Sequence, residues 1–254
     1  MLHCVTLWIG EGFGTVERAC LRSVLRQGHG LTLYCYSEPI GIPDGVELQD
    51  ASAILPEASV LRHRGGSVAP FSDWFRYELL KRGLGTWIDT DMYLLRPLDG
   101  QAEHLFGEER PGVINNAVLR LPPDSPALVE LLEPFRGTTP AWLPARHRAR
   151  SHLRKLLNGR VDVGAMPWGT TGPAALTAAA AKLGISSCAL PVPVFYPVPW
   201  EQAAWIRDPA LRLDQMVTEE TIGIHLWNEC IKGFKNGLAP GGSFLERLQR
   251  EGAP

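Results

Sequence analysis

Residues 2–37, LHCVTLWIGEGFGTVERACLRSVLRQGHGLTLYCYS, decide the fold class. Residues 2–9 form an apolar run of strand length, and Gly10-Glu11-Gly12-Phe13-Gly14 turns the chain. Residues 15–27 then carry apolar side chains at helical spacing, and residues 31–37 supply a second apolar strand. Strand, glycine turn, helix and strand in so short a stretch make a βαβ unit, which implies a parallel sheet covered by helices. The fold class is α/β.

The remaining pattern extends this unit. A strand is predicted over 46–50, a helix over 71–82 ended by Gly83, strands over 86–95 and 113–121, and a helix over 126–133. Six prolines between Pro122 and Pro144 keep regular structure short there and mark the place for an insertion, so 122–165 is read as a variable segment inside one domain spanning 1–254. An alanine-rich helix over 172–184 has Pro173 in its first turn and Gly184 past its end. Residues 188–200 alternate with proline and are expected to be extended; 222–228 is the last strand.

Composition narrows the function. With 254 residues, 45% of them apolar, the chain can bury a sizeable core. A formal charge of -2 gives no polycationic surface, so nucleic-acid binding has no support and any phosphate recognition must be local. Cys4, Cys20, Cys35, Cys188 and Cys230 are odd in number, mostly set in apolar stretches and without a Cys-x-x-Cys pair, the pattern of reduced core residues in a cytoplasmic protein. No basic, apolar leader and no run of 18 apolar residues is present, so the expectation is a cytoplasmic chain without a membrane span.

Residues 86–95, Thr-Trp-Ile-Asp-Thr-Asp-Met-Tyr-Leu-Leu, interrupt an apolar run with Asp89 and Asp91. On a strand, i and i+2 share a face, and burying two acids there carries a desolvation penalty that a cation would offset. A hard divalent ion held by carboxylates, phosphate oxygens and water suits such a pair. Asp-x-Asp alone is a common triplet; its neighbours raise its weight. Asp73 and Arg76 are three apart on one helix face, which read alone is a capped helix start with a surface ion pair. Trp8 ends the first strand at the sheet edge where α/β proteins bind ligands, although a core Trp is the more usual explanation. His225, on the last strand, offers a neutral imidazole as a third ligand, while a lone His is usually structural.

Taken together, Trp8-Ile9-Gly10, Ser72-Asp73-x-x-Arg76-Tyr77 and Gly85-x-x-x-Asp89-x-Asp91 resemble the DXD-containing glycosyltransferases of GT-A fold, within them family 32 and the α-1,4-glycosyltransferases, and distantly the clostridial toxin glycosyltransferases. Thr171-Gly172-Pro173-x-x-Leu176-Thr177, Leu190-Pro191, Phe195-Tyr196-Pro197, Trp200 and His225-Leu226-Trp227-Asn228 resemble the C-terminal region of the α-1,4 group. The resemblance implies a Rossmann-like, mixed but mostly parallel sheet flanked by helices, with a small acceptor-side insertion. It implies a UDP-sugar donor, Mn2+ or Mg2+, and transfer with retention to a glycan, a lipid-linked or a small-molecule acceptor. It also assigns roles. Trp8, with Ile9 and Gly10, would receive the base; Ser72, Asp73 and Arg76 the donor sugar; Asp91 would ligate the metal directly and Asp89 would tie metal to sugar. His225 would complete the metal site, Trp227 and Asn228 would close over it, and Asn116, ahead of Asn115, would stand beside the reacting sugar. One departure is the spacing Gly83-Leu84-Gly85, where the family carries paired glycines.

Two other classes compete. Gly10-x-Gly12 after a first strand, with Glu38 closing the second, imitates a dinucleotide fingerprint for an NAD(P)-dependent oxidoreductase, but Thr15 takes the third glycine's place and Glu11 puts a negative charge where pyrophosphate would sit. A non-catalytic sugar-nucleotide-binding protein is the other. Finally, Arg146, His147, Arg148, Arg150, His152, Arg154 and Lys155 crowd one short segment. It reads either as a solvated helix face or as a docking surface for an anionic acceptor or for membrane headgroups, a peripheral contact.

Overall fold

The computed structural model describes residues 1–254, the side chain of Asn158 excepted. The predicted βαβ unit is present: β1 (His3–Trp8), α1 (Thr15–Arg26) and β2 (Gly30–Cys35), with β1 and β2 parallel and Leu7 opposite Tyr34. Next come β3 (Val46–Asp50), α2 (Ala69–Lys81), β4 (Thr86–Ile88), β5 (Met92–Leu94), β6 (Leu105–Arg110) and β7 (Val113–Arg120). Then follow α3 (Pro126–Leu132), α4 (Ala145–Asn158), α5 (Pro173–Leu183), β8 (Gly223–His225) and a C-terminal helix, Phe244–Glu251. Six strands form one sheet in the order β3-β2-β1-β4-β7-β6, and β5 with β8 forms a second. The first three ladders of the large sheet are parallel and the last two antiparallel. This is the mixed, mostly parallel α/β sheet flanked by helices that the sequence led one to expect.

Alternation along the strands explains the layers. Val5, Trp87 and Leu119 pack on one side with α2, α3 and α5, through Phe75, Leu131 and Leu176. Their neighbours Cys4, Ile88 and Val118 face the other way, onto Leu21 and Val24 of α1 and onto Phe195. A sheet buried on both faces needs apolar residues at successive positions, which is why these strands read as continuous apolar runs. At the tight entry to β4, Gly85 has φ +145, and a Cβ there would lie 2.8 Å from the His3 carbonyl oxygen. The unusual Gly83-Leu84-Gly85 spacing therefore meets a local backbone requirement.

Four expectations need correction. The run 86–95 is two strands: Asp89-Thr90-Asp91 is the break between β4, which pairs with β1 and β7, and β5, which pairs with β8. The acids therefore do not share a strand face; they sit at a junction where the chain passes from one sheet to the other. Residues 188–200 are not extended, since Val192–Phe195 makes a helical turn whose second position accepts Pro193. The last strand stops at His225, because Trp227 takes a left-handed backbone (φ 57) and Asn228 begins a helical turn. All five cysteines are free, and Cys4, Cys20 and Cys35 are buried as expected, but Cys188 and Cys230 are exposed. Among the described residues, no helix is long and apolar enough to cross a membrane.

Candidate active site

The chain leaves β1 toward β2 and β3 on one side and later returns to β4 on the other, so the sheet has a topological switch point between β1 and β4. Ligands of open α/β sheets bind beyond the carboxyl ends of the strands at such a point. A cavity of ≈ 1130 Å³ opens there, lined by Trp8 from the end of β1 and by Asp89 and Asp91 from the end of β4. Small-molecule sites commonly run to about 300–1,000 Å³, so this one is at the large end of that range.

The β5–β8 ladder completes the acid cluster. Met92 pairs with His225, and the Leu226 amide donates to the Asp91 carbonyl over 3.0 Å. His225 Nε2 is thereby held 3.3 Å from Asp91 Oδ2 and 4.0 Å from Asp89 Oδ2. One ligand atom from each of the three residues lies within 4.8 Å of the others. A hard divalent ion takes oxygen donors at about 2.0–2.6 Å, which puts opposite donors about 4–5 Å apart, so two carboxylates and an imidazole at this separation fit such an ion.

The two acids are held differently. Asp89 Oδ1 accepts the Trp87 indole N–H at 2.7 Å and pairs with the Arg76 guanidinium at 3.0 Å, leaving Oδ2 toward His225. Burial pushes the Asp89 carboxyl above its ordinary range, Arg76 acts against that, and the Asp91 charge adds to it. Asp91 Oδ2 also accepts the backbone N–H of Asn228 at 2.7 Å. Burial opposes its ionisation too, but the charge and hydrogen bond of His225 and the Asn228 amide outweigh burial and bring Asp91 down to about 2. His225 moves reciprocally: burial alone would lower its pKa, yet the Asp91 charge lifts it above the ordinary imidazole value. Its Nδ1 is buried and has no hydrogen-bond partner.

A second network lies behind the acids. Arg76 stacks over Trp87 at 4.6 Å, donates to Ser72 Oγ at 3.2 Å and reaches the Asn116 carbonyl at 2.5 Å. Asp73 accepts from Asn116 Nδ2 at 2.9 Å on one oxygen and from Thr171 Oγ1 at 2.7 Å on the other. Burial raises the Asp73 carboxyl despite Arg76 and these donors. Asp73 and Arg76 are thus a buried pair in the second turn of α2, not a surface pair at a helix start. Gly172 closes the network from above: a Cβ there would stand 3.1 Å from Asn116 Oδ1 and from both Asp73 carboxylate oxygens.

Alternation along β7 turns Asn115 the opposite way from Asn116. Its Nδ2 donates to Glu109 at 2.6 Å, and its Oδ1 accepts from the Ala117 amide and the Tyr196 hydroxyl. Trp8 packs against Phe13 with ring centroids 4.3 Å apart, and its indole N–H is buried without a partner. Trp227 sits 4.3 Å from the His225 ring and donates to the Val198 carbonyl, while the Asn228 side chain accepts from Lys235, itself paired with Glu17.

Trp8, Ile9, Ser72, Asp73, Arg76, Asp89, Asp91, Asn115, Asn116, His225, Trp227 and Asn228 all line the one cavity; Gly10 does not, and lies exposed beside the Trp8 indole. The sequence reading missed Glu109, which reaches the cavity from β6, a strand it did not anticipate, and it missed Trp168, 56% exposed at the cavity wall. Neither stands in a patterned context: Leu105–Arg110 reads as three uncharged residues followed by three charged ones. No family model and no curated protein matches the chain, so the likeness to family 32 rests on the motifs alone. Among solved structures, the chain is similar to PaToxG glycosyltransferase at a TM-score of 0.42 and 10% identity, over 71% of this chain and 68% of that one.

Proposed function

We propose that this protein is a metal-dependent glycosyltransferase that takes a sugar from a UDP-sugar donor and passes it, with retention, to a glycan, lipid-linked or small-molecule acceptor. The observation that carries the reading is the convergence, in one cavity at the switch point, of the Asp89, Asp91 and His225 cluster with the unpartnered Trp8 indole. Mn2+ or Mg2+ held by the three side chains would supply positive charge against which a nucleoside diphosphate can leave.

The residues divide the work. Asp91, the more acidic carboxylate and the one nearer His225, is the direct ligand. Asp89 has one oxygen fixed by Arg76 and Trp87, so the other is presented in a set direction to metal and sugar. Arg76 therefore acts on the donor largely by positioning Asp89. Trp8 offers a flat ring and a free N–H to the base, with Ile9 and Gly10 shaping the turn beside it. Asp73, with Ser72 near it, retains acceptor capacity toward sugar hydroxyls, and Trp227 and Asn228 close over the diphosphate. Asn116 belongs to the same network as Asp73 and stands nearer the reacting sugar than Asn115, whose amide is committed to Glu109 and Tyr196. Trp168 and Trp200, both exposed in the cavity lining, are surfaces the acceptor would meet, and Trp142 of the 122–165 segment lines the same cavity.

Glu109 favours one second reading. A carboxylate in the cavity is what an inverting enzyme needs as general base, and Glu109 is the candidate. The anomeric configuration of the product decides: retention with a tolerant Glu109→Gln variant supports the first reading, and inversion abolished by that change supports the second. The dinucleotide reading has less in its favour, because Glu17, in the first turn of α1, is paired with Lys235, and neither Gly12 nor Gly14 lines the cavity.

The primary test is donor hydrolysis. Incubation with a panel of UDP-sugars and Mn2+ should give slow hydrolysis that EDTA abolishes. If no nucleotide sugar is hydrolysed and none gives a metal-dependent thermal shift, the transferase reading fails. A thermal shift with a nucleotide sugar but no turnover would leave a binding protein, and a shift with NAD(P) would restore the oxidoreductase.

A further inference from the structure

The helix α4 is inside out by the usual rule. On the face of it turned to the protein, Ser151 is buried and His147 and Arg154 are half-buried. The apolar side chains point outward instead: Leu153 is 57% exposed, Leu156 82% and Leu157 74%. Spaced i, i+3 and i+4, these three leucines form one stripe on the solvent side of a helical surface. A stripe of large apolar side chains is expensive to leave in water and, where basic residues rim it, marks an interaction surface.

Charge says what the stripe meets. Residues 134–161 contain seven Lys and Arg and no Asp or Glu, although the whole chain carries -2. On the helical wheel, Arg146 falls within the leucine stripe and Arg150 borders it, while Arg148 and Lys155 lie well round the helix and donate to the Ala141 and Gly137 carbonyls. Among the described residues, no carboxylate pairs with any of these four. An exposed apolar stripe that carries Arg146 and is bordered by Arg150 suits a helix lying in the plane of an anionic lipid surface: leucines enter the acyl boundary and these two guanidinium groups stay among the headgroups. A nucleic acid would use the charges but would leave the leucines in water.

The helix also adjoins the cavity. Met166 and Pro167 line the cavity on one side and, on the other, a shallow recess under α4 shared with His147 and Arg150. Leu143 packs with Val161, Val163 and Met166, fixing the base of α4 to that same wall. We infer that α4 docks on an anionic membrane surface through Leu153, Leu156 and Leu157, and that docking brings the Trp168 side of the cavity to the bilayer. Only the corollary, that the acceptor is lipid-borne, rests on the transferase reading.

Sedimentation with phosphatidylcholine vesicles, with and without phosphatidylserine, tests the inference on the intact protein. The wild type should pellet with the anionic vesicles and not with the neutral ones, and should be released as ionic strength approaches about 1 M, where the screening length is about 3 Å. Each basic residue near such a surface is worth about fivefold, so Arg146→Glu with Arg150→Glu should reduce partitioning by a hundredfold or more. Leu156→Ser with Leu157→Ser should reduce it about tenfold or more with every charge intact. All four side chains are exposed, so both variants should keep the wild-type melting temperature and the wild-type hydrolysis of a soluble donor. Failure of the wild type to pellet, or equal pelleting on neutral vesicles, overturns the inference. Wild-type pelleting by the leucine variant overturns it as well, since it would show a purely ionic patch. Vesicle binding without turnover of any nucleotide sugar would retire the transferase reading and leave the docking surface standing; turnover without vesicle binding would do the reverse.

Discussion

Asp73, Arg76 and Asn116, in one part of the cavity lining, are buried and bonded to one another, whereas Trp168 and Trp200, which line the same cavity, and the leucines of α4 face solvent. The first part is finished before any ligand arrives: its polar groups have partners, and their directions are fixed by packing. The second keeps its apolar area uncovered. A pre-organised part suits a ligand whose charge must be met in one geometry, and an open part suits a partner that brings its own surface. Burial and satisfaction of polar groups thus separate the two parts more sharply than residue type does.

The largest effect should come from breaking the acid cluster. Asp91→Ala should lower metal-dependent donor hydrolysis by about 10²–10³-fold, the scale of losing one electrostatic anchor in a buried site, while Thr90→Ala, one residue away, should leave the rate nearly unchanged. Equal tolerance of both, in steady-state assays with saturating Mn2+, would show that the motif has no catalytic part.

Arg76→Ala comes next. It leaves Asp73 and Asp89 without their shared cation, and the expected cost is about 3 kcal/mol, the low end for a broken buried pair because Asp89 partly reaches solvent. Urea titration measures it; a loss within the error of the fit would mean that the network is not under load.

A third prediction concerns pH. His225 has its pKa raised by Asp91 in the metal-free protein, so its stabilising contribution is fully present below about 6.5 and is lost as pH rises through the higher folded value. A cation must displace that proton, so Mn2+ affinity should climb across the same window by up to about tenfold per pH unit. Titration calorimetry at several pH values checks it, and pH-independent affinity would remove His225 from the ligand set.

The smallest effect on stability is expected in the open part. Trp168→Ala should change the folding free energy by no more than about 0.5 kcal/mol, since the ring is exposed and touches only His63 among the aromatic contacts. It should still raise the KM for acceptor several-fold at constant donor hydrolysis. An unaltered KM would show that the open part is not where the acceptor lies.

The first 37 residues were legible because the period changes from strand to helix and back within glycine boundaries. The join at Asp89-Thr90-Asp91 was not: β4 and β5 are both buried throughout, so neither shows a polar–apolar alternation and no periodicity records the change of partner. Leu105–Arg110 escaped because its charged half carries no alternation. Identities in the site were readable and their couplings were not. Asp73 and Arg76 could be seen to share a helix face, but nothing in their spacing says that Thr171 and Asn116 bury them. The basic run near 150 was visible as charge, while the direction of its leucines depends on which side of α4 meets the protein.

The acid junction has a consequence for how the molecule holds together. Asp89 leaves the six-stranded sheet, whereas Asp91 leads into, and His225 belongs to, a two-stranded ladder of three residue pairs, an element too small to be stable without its surroundings. A cation shared across that boundary would act as a rivet between the two sheets. The small ladder is itself buried, Met92 and Leu94 clustering with Leu21 and Val24 of α1 and Tyr93 and Ile224 with Phe244 and Leu248 of the C-terminal helix, so losing the cation would loosen the junction and leave the ladder in place.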